Sequence, residues 1–260
     1  MSELGRRACF DRRIRRARMT ARFPADRLQH PMNYTPIVMG RGLARYYKLG
    51  AETIQALHSV DIDVLSGDFI ALKGPSGSGK STLINLLGLL DHPDDGTVSL
   101  DGKNAASLTE DERADARRDR FGFVFQTFNL LPVLTAAENV GYPMTLKGSS
   151  TIAIRKRSAE LLDSVGLGNK LHVRPDLLSG GQRQRVAIAR ALANEPGVIF
   201  ADEPTANLDS HTADTILDLM RRLNKERGVA FVIATHDQRV VERARRVIVL
   251  HDGQIEGAAA

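Results

Sequence analysis

The amino-acid sequence predicts an α/β fold with a mostly parallel sheet as its core, an antiparallel β subdomain and an inserted α-helical subdomain. Short apolar runs alternate with helical patterns; residues 198–201 and 230–234, for example, flank the amphipathic stretch 210–227. Strands that are apolar throughout are typical of parallel sheets covered on both faces. The alternating pattern at 56–64 indicates a half-buried strand, and residues 127–180 contain no strong strand pattern, which favours a helical insertion.

The predicted elements follow one another at short intervals. In order, they are strands at 56–64 and 69–73, a helix beginning near Lys80, a strand at 97–100, a helix at 109–120, a strand at 121–125, helices at 135–146, 152–165 and 178–194, a strand at 198–201, a helix at 210–227, and strands at 230–234 and 247–250. Thr109 and Glu112 have the spacing of a capping box at a helix start.

The composition restricts the class of protein. With 260 residues and 42% hydrophobic residues, the chain can bury the core of one large domain. No apolar run approaches the ~18 residues of a membrane-spanning helix. We therefore expect a protein that is soluble or peripherally attached to a membrane. The single cysteine, Cys9, excludes an internal disulfide and a cysteine-based metal cluster.

The positive charge is concentrated at the N-terminus. The formal net charge is +5, but the segment up to His30 contains nine arginines and three acids, so it carries +6 and the remainder −1. We expect residues 1–35 to be an Arg-rich disordered extension, or an over-long start, and residues 36–258 to form the domain, with the helical subdomain at about 127–180. The charge pattern gives no reason to expect a nucleic-acid partner for the domain.

A glycine-rich loop lies between a predicted strand and a predicted helix. It fits the pattern G-x-x-x-x-G-K-[ST] and consists of Gly74, Pro75, Ser76, Gly77, Ser78, Gly79, Lys80, Ser81 and Thr82. Glycines let backbone N–H groups wrap a phosphate, and the N-terminus of the next helix favours an anion. Lys80 offers a positive charge to the β- and γ-phosphates, and the Ser81 hydroxyl is a ligand for Mg²⁺. The loop therefore predicts a site for ATP and Mg²⁺.

Four further candidate site residues stand directly after apolar strands, where open α/β sheets bind ligands. Asp202 is expected to hold Mg²⁺ through a water molecule, and the amide of Gln126 to sense the metal and the attacking water. Glu203 is placed to orient and deprotonate that water. His236 ends another strand, from which its ring can donate to the γ-phosphate.

A second anion-binding surface is predicted at the start of the helix near residue 180. It is formed by Ser179, Gly180, Gly181 and Gln182. Because the domain already has one phosphate loop, a second phosphate-facing surface is explained if it contacts a nucleotide held mainly by another copy. We therefore expect a dimer that encloses ATP between its subunits, with each chain contributing both halves.

Taken together, residues 38–257 resemble the ATP-binding subunit of ABC transporters. In that resemblance, residues 74–82 are the Walker A motif, Gln126 the Q-loop, 178–182 the signature, 198–202 the Walker B motif, Glu203 the catalytic glutamate, 206–209 the D-loop and His236 the switch histidine. The resemblance adds two cofactor-binding residues, Asp209 of the D-loop and Tyr47, where the family places the aromatic that stacks on adenine; Tyr46 is an adjacent alternative. It also implies ATPase activity and a cytoplasmic location, peripheral on the inner face of the cell membrane.

Within the family, residues 83–90, 121–132 and 201–210 resemble the lipoprotein-releasing and macrolide-export ATPases. This resemblance implies a separate transmembrane permease as partner, and residues 128–134 are the expected contact. Exposed apolar side chains in this segment would mark the interface. The alternative is that these residues form the buried core of a loop. The alternatives are the ATPase of a cell-division complex that transports nothing, a soluble ABC ATPase, and a small-molecule kinase, which the signature disfavours.

Overall fold

The computed structural model describes residues 36–50 and 52–256; the predicted Arg-rich extension lies outside them. The strands are β1 (Val38–Leu49), β2 (Glu52–Val64), β3 (Phe69–Lys73), β4 (Asp95–Leu100), β5 (Lys103–Asn104), β6 (Phe121–Val124), β7 (Val198–Asp202), β8 (Ala230–Thr235), β9 (Arg246–His251) and β10 (Gln254–Ile255). The α-helices are α1 (Lys80–Leu87), α2 (Glu110–Arg120), α3 (Ala136–Leu146), α4 (Thr151–Ser164), α5 (Gly180–Ala191), α6 (Ser210–Arg227) and α7 (Gln238–Arg243).

The described strands form two sheets. A six-stranded sheet has the order β10-β9-β3-β8-β7-β6, in which all pairs are parallel except β10 with β9. A four-stranded antiparallel sheet has the order β2-β1-β4-β5. Helices α3 and α4 lie between β6 and α5 in the chain, without an intervening strand among the described residues. The predicted α/β class, with a mostly parallel core, an antiparallel β part and a helical insertion, is confirmed.

The parallel strands are buried on both faces because their successive side chains enter two different cores. In β3, Phe69 and Ala71 pack into a core formed with helices α3 to α6. Ile70 and Leu72 pack into a second core, with α1 and the antiparallel sheet. All four are fully buried. This two-sided burial explains why the core strands read as uninterrupted apolar runs.

Most helix starts are encoded locally. Thr109 and Glu112 form the predicted capping box of α2, and Thr135 and Glu138 form an equivalent one at α3. Helix α5 ends at Ala191, three residues before the predicted end. Helix α7 was not predicted, because its six residues are too few to show a helical period. Within the described residues, no helix combines the length and apolar character required to cross a bilayer.

Candidate functional site

A cavity of about 730 Å³ lies at the carboxyl ends of the parallel strands. Its volume is within the range of small-molecule sites. Its lining comes from the β1–β2 hairpin, the glycine-rich loop and the segments after β6, β7 and β8, and comprises Tyr47, Ala56, Ser76, Gly77, Gly79, Lys80, Ser81, Thr82, Gln126, Asp202, Glu203, Ala206 and His236. The fold therefore collects at one place candidate residues that are far apart in the sequence.

The glycine-rich loop connects β3 to α1 and requires glycine for steric reasons. Gly79 has φ +98°, and a Cβ there would lie 2.5 Å from the carbonyl oxygen of Ala56. A Cβ on Gly74 would lie 2.1 Å from the carbonyl oxygen of Leu250. Gly79 is also the N-cap of α1 and offers no side-chain hydrogen bond to it. The first N–H groups of α1 are therefore left available to an anion.

Lys80 lies inside the loop that precedes it. Its Nζ donates to the carbonyl oxygens of Gly74 and Pro75, at 2.9 and 2.8 Å, and the residue is 7% exposed. The ammonium group is thus held beside the cavity. Gly74 and Pro75 do not line the cavity; they contribute these two carbonyls. Ser78 is buried behind the loop, and its Oγ has no hydrogen-bond partner in the described part of the chain.

Three oxygen-bearing side chains, of Ser81, Gln126 and Asp202, share the cavity wall. Asp202 is the last residue of β7, and Gln126 follows the neighbouring parallel strand β6. A carboxylate, a hydroxyl and an amide oxygen form a donor set suited to Mg²⁺, which proteins commonly bind through one or two carboxylates together with substrate phosphates. The residues present therefore fit this metal.

Glu203 and His236 are in direct contact on the same wall. His236 Nδ1 lies 2.9 Å from Glu203 Oε1. Glu203 has φ +45°, a left-handed conformation that is uncommon for a non-glycine residue, and its N–H donates to Ala234 O of β8 at 3.0 Å. This backbone turn lets Asp202 and Glu203, although adjacent in sequence, both face the cavity. Strained backbone of this kind is often found at functional sites.

Tyr47 lies at the edge of the cavity, whereas Tyr46 is not among the lining residues. The Tyr47 hydroxyl donates to Asp91 Oδ2 at 3.3 Å, and the Arg45 guanidinium stands 5.0 Å from the centre of the ring. The ring is therefore fixed on one side by neighbours. Ala56 of β2 also lines the cavity, but the sequence analysis did not predict it. The one signal for it in the sequence is a small residue on a strand that precedes the glycine-rich loop.

The other predicted cofactor-binding residues do not line this cavity. Ser179 and Gln182 form a capping box at the start of α5, with Gln182 N–H donating to Ser179 Oγ at 3.3 Å. Asp209 caps α6 and accepts from Thr212 N–H at 3.0 Å. The pKa of the Asp209 carboxyl is held below its ordinary value, mainly by hydrogen bonding from the Thr212 side chain.

The start of α5 also lies against the start of α6. Gly180 and Gly181 occupy its first turn, and a Cβ on Gly181 would lie 2.4 Å from Thr212 Cγ2. The site of one chain therefore contains the phosphate loop and the residues after β6, β7 and β8, but not residues 179–182.

Comparisons with known proteins agree with this architecture. A sequence profile of the family described as ABC transporter matches residues 57–206. The lipoprotein-releasing system ATP-binding protein LolD of Alcanivorax borkumensis is 47% identical over 221 residues, which are 85% of this chain and 97% of that protein. The macrolide export ATP-binding/permease protein MacB of Syntrophobacter fumaroxidans is 48% identical over 216 residues, which are 82% of this chain but only 30% of that protein.

Among solved structures, a dimeric post-hydrolysis state of the ATP-binding cassette MJ0796 bound to ADP and Pi superimposes with a TM-score of 0.78 and 46% identity. The match covers 84% of this chain and 96% of the other. A sequence relative of the same name comes from Methanocaldococcus jannaschii.

Proposed function

This chain belongs to the ABC transporter family, and from that premise we propose that it is the ATP-hydrolysing subunit of an export system whose membrane-spanning part is a separate polypeptide. The observation that carries the proposal is the single cavity that joins the phosphate loop to Asp202 and to the Glu203–His236 pair. That combination serves phosphoryl transfer to water, because it offers a phosphate cradle, metal ligands and a base.

The chemistry assigned to the site is hydrolysis of the γ-phosphate of ATP. Glu203 takes a proton from a water molecule, and the water oxygen forms a bond to the γ-phosphorus. The bond from that phosphorus to the bridging oxygen breaks, so that ADP and inorganic phosphate leave. His236 orients the Glu203 carboxylate through their 2.9 Å contact and is positioned to donate to a γ-phosphate oxygen.

The phosphates and the adenine are assigned to opposite ends of the cavity. The N–H groups at the start of α1 and the ammonium of Lys80 bind the β- and γ-phosphates. Ser81, Gln126 and Asp202 would hold Mg²⁺, whose chemistry there is neutralisation of charge on the phosphate oxygens. The ring of Tyr47 stacks on the adenine.

We assign residues 179–182 and Asp209 to the nucleotide of a second copy of the chain. They lie outside the cavity of their own chain, yet the N-terminus of α5 has the backbone N–H groups and the hydroxyl suited to a phosphate. The similar cassette MJ0796 has been solved as a dimer with ADP and Pi. A two-fold dimer would give each ATP one phosphate loop and one α5 N-terminus.

A groove of about 370 Å³ on the other side of β6 is the proposed permease contact. It is lined by Phe123 and Phe125 and by the exposed apolar residues Leu90, Tyr142 and Leu146. Exposed apolar side chains collected in one groove are typical of a protein interface.

Residues 128–134 supply further exposed apolar surface for this contact. Val133 is 74% exposed and Leu131 is 37% exposed. In contrast, Phe128, Leu130 and Leu134 are partly buried. The segment therefore presents some apolar side chains to a partner and packs others into the loop. A cytoplasmic segment of the membrane partner that carries apolar side chains is the occupant proposed for the groove and this segment.

Helix α5 runs from residues 179–182, which we assign to the nucleotide of the partner copy, to the groove, where Arg190 and Ala191 are lining residues. Arg190 donates to the backbone carbonyl oxygens of Phe128 and Asn129, and the Arg183 guanidinium stands 5.2 Å from the Phe128 ring centre. Asn207 Nδ2 donates to the carbonyl oxygen of Gln126 at 3.0 Å. The segment after Gln126 is therefore held by α5 and by the loop between β7 and α6, which supports a role in passing movement to the permease.

The names of the similar proteins LolD and MacB point to lipoprotein or macrolide as the class of cargo. With such a partner the chain would act in the cytoplasm, on the inner face of the membrane. The proposal is tested by measuring Mg²⁺-dependent release of phosphate from ATP by the purified chain, together with its mass by light scattering with and without ATP. Hydrolysis and an ATP-dependent doubling of mass are expected; no hydrolysis and no dimer under any nucleotide condition would overturn it.

A further inference from the structure

A buried amide on α5 has no part in the chemistry assigned above. Gln184 is 0% exposed, and its Nε2 donates to the carbonyl oxygen of Pro204 at 2.8 Å. Its Oε1 is buried too and has no hydrogen-bond partner among the described residues. A buried side chain that makes one long-range hydrogen bond and leaves its other polar atom unpaired calls for a specific explanation.

The hydrogen bond reaches the residue that follows Glu203. Pro204 is buried directly after the left-handed turn at Glu203, whose φ is +45°. Proline has no N–H to anchor this part of the loop, so its carbonyl is the group through which a neighbour can hold it. The Pro204 carbonyl belongs to the peptide unit after Pro204, and the proline ring fixes the φ angle between that unit and the planar peptide shared with Glu203. A shift of this carbonyl is therefore passed to the backbone of Glu203 and changes where its carboxylate points.

Stability alone does not explain an amide at this position. The hydrogen bond to Pro204 is favourable, but the unpaired Oε1 loses its hydration on burial, and the two effects oppose each other. An unbranched apolar side chain of similar length, such as methionine, would fill the same space without the unpaired oxygen. Departures from full hydrogen bonding of this kind are expected at sites under functional constraint.

Gln184 also lies close to the N-terminal end of α5, whose residues do not line the cavity of their own chain. The helix begins at Gly180 with Ser179 as its N-cap, so Gln184 lies little more than one turn from the cap. The first turn packs tightly, since a Cβ on Gly181 would lie 2.4 Å from Thr212 Cγ2. A displacement of this turn would therefore move Gln184 with it.

We propose that Gln184 is a positioning residue for ATP hydrolysis, which holds the Glu203 loop in place through Pro204 and ties it to helix α5, whose N-cap is Ser179. The inference rests on the proposed function, in which Ser179 contacts the nucleotide of the partner copy. Binding of that nucleotide against α5 would then be relayed by Gln184 to the glutamate of the chain's own site.

The first test separates positioning from stability by using Gln184→Met. We expect kcat to fall at least tenfold, the Kd for ATP to stay within twofold, and the thermal midpoint to stay within a few degrees of wild type. The matched control is Asn224→Met, since Asn224 is a buried amide that donates to Gly67, Asp68 and Val229 carbonyls at the opposite end of the sheet. It should lower the midpoint and leave kcat of the folded protein within twofold.

Wild-type kcat in Gln184→Met would overturn the inference. If this variant does not fold, Gln184→Asn takes its place, because it keeps the amide but shortens the side chain by one methylene, away from Pro204. It should show the same loss of kcat. An unchanged kcat would again overturn the inference. Wild-type protein that hydrolyses no ATP would instead refute the proposed function, so the two failures are distinguishable.

The second test asks which site Gln184 serves, with mixed dimers purified through two affinity tags. One copy carries Glu203→Gln, so that only the other copy's Glu203 is active. Gln184→Met should abolish most of the remaining turnover when it is in the copy with the active Glu203, and have a smaller effect in the other copy. An equal loss of turnover with Gln184→Met in either copy, or a loss only when it is in the copy that carries Glu203→Gln, would overturn the assignment.

Discussion

His236 Nδ1 and Glu203 Oε1 lie 2.9 Å apart at the wall of the nucleotide cavity, although the residues are 33 positions apart in the sequence. The side chain of His236 is 70% exposed, whereas that of Glu203 is 17% exposed. The partly buried carboxylate is therefore held by a ring that itself faces the cavity. We therefore propose proton transfer to Glu203, with the histidine placed to contact the phosphate.

Glu203→Gln should lower kcat by at least about 100-fold, because the amide cannot accept the proton that general-base catalysis requires. ATP affinity should be maintained, since the phosphate loop and Tyr47 are untouched. Steady-state phosphate release and equilibrium binding of ATP measure the two quantities. Glu203→Asp, which keeps a carboxylate but shortens it, serves as the control and should retain more activity than Glu203→Gln. A Gln variant with wild-type turnover would show that another group is the base.

Tyr47→Ala should weaken ATP binding by about 1–3 kcal/mol, the usual contribution of stacking on a base, with a smaller effect on kcat. Tyr46→Ala is the matched control, since both tyrosines are 38% exposed but only Tyr47 lines the cavity. Tyr47→Phe keeps the ring and loses the hydrogen bond to Asp91, so it should bind ATP nearly as wild type does. Equal losses in the Tyr46 and Tyr47 alanine variants, measured by titration with ATP, would contradict the assignment.

The features that sequence predicted well are those that depend on near neighbours. The capping box of Thr109 and Glu112 needs only residues three apart, and the strand–loop–helix around Gly79 follows from one continuous segment. The two-sided burial of β3 and β8 appears directly as apolar runs. These features are encoded in local spacing, and the structure has them where the sequence indicated.

Other features depend on pairing across the fold and leave little local trace. The choice between Tyr46 and Tyr47 depends on the register of β1, which shifts between Arg45 and Tyr46 and so alters which side chain faces the cavity. The bond from Gln184 to Pro204 joins residues 20 apart on different elements. Local residue patterns indicate neither, because both are set by tertiary packing; only the family resemblance favoured Tyr47 over Tyr46.

Mixed dimers of two inactive variants should recover activity if the site is shared between copies. Lys80→Ala removes the phosphate-loop charge, and Ser179→Asp keeps a helix-capping oxygen while placing a negative charge against the phosphate. Each variant alone should be inactive. A random one-to-one mixture should regain about a quarter of wild-type turnover, since half the two-fold dimers are mixed and each has one intact site. No recovery, with dimer exchange verified, would place both residues in one chain's site.

Leu146→Arg should prevent association with the membrane partner without changing the ATP turnover of the isolated chain. Leu146 is 59% exposed and lines the groove beside β6, where a charge would have to be buried on binding. Ile152→Arg is the control, because Ile152 is 82% exposed and does not line the groove. Co-purification with the permease subunit measures the effect. Equal retention of the partner by both variants would remove the groove as the contact surface.

Asp237 provides a pH test of the structure near the site. Burial raises the pKa of this carboxyl, but the hydrogen bonds and charge of Arg239, with a hydrogen bond from Thr205, outweigh it and hold the pKa below its ordinary value. The Oδ2 atom lies 2.7 Å from Arg239 Nη2. Since the unfolded chain binds the proton more readily, this interaction stabilises the fold fully above the ordinary carboxyl pKa and is lost as pH falls through the lower, folded value.

Asp237→Asn should therefore destabilise the protein in a pH-dependent way. Asparagine keeps the N-cap of α7 but removes the charge facing Arg239. At pH 7 the free energy of unfolding should fall by roughly 0.5–1 kcal/mol, the size expected for a partly exposed ion pair. As the pH falls below about 4 the difference should shrink, because the unfolded wild-type chain then binds a proton at this carboxyl, and the folded chain does so at a lower pH. Urea unfolding at pH 7 and at pH 3 measures both values, and an equal loss at the two pH values would show that the effect does not come from this charge.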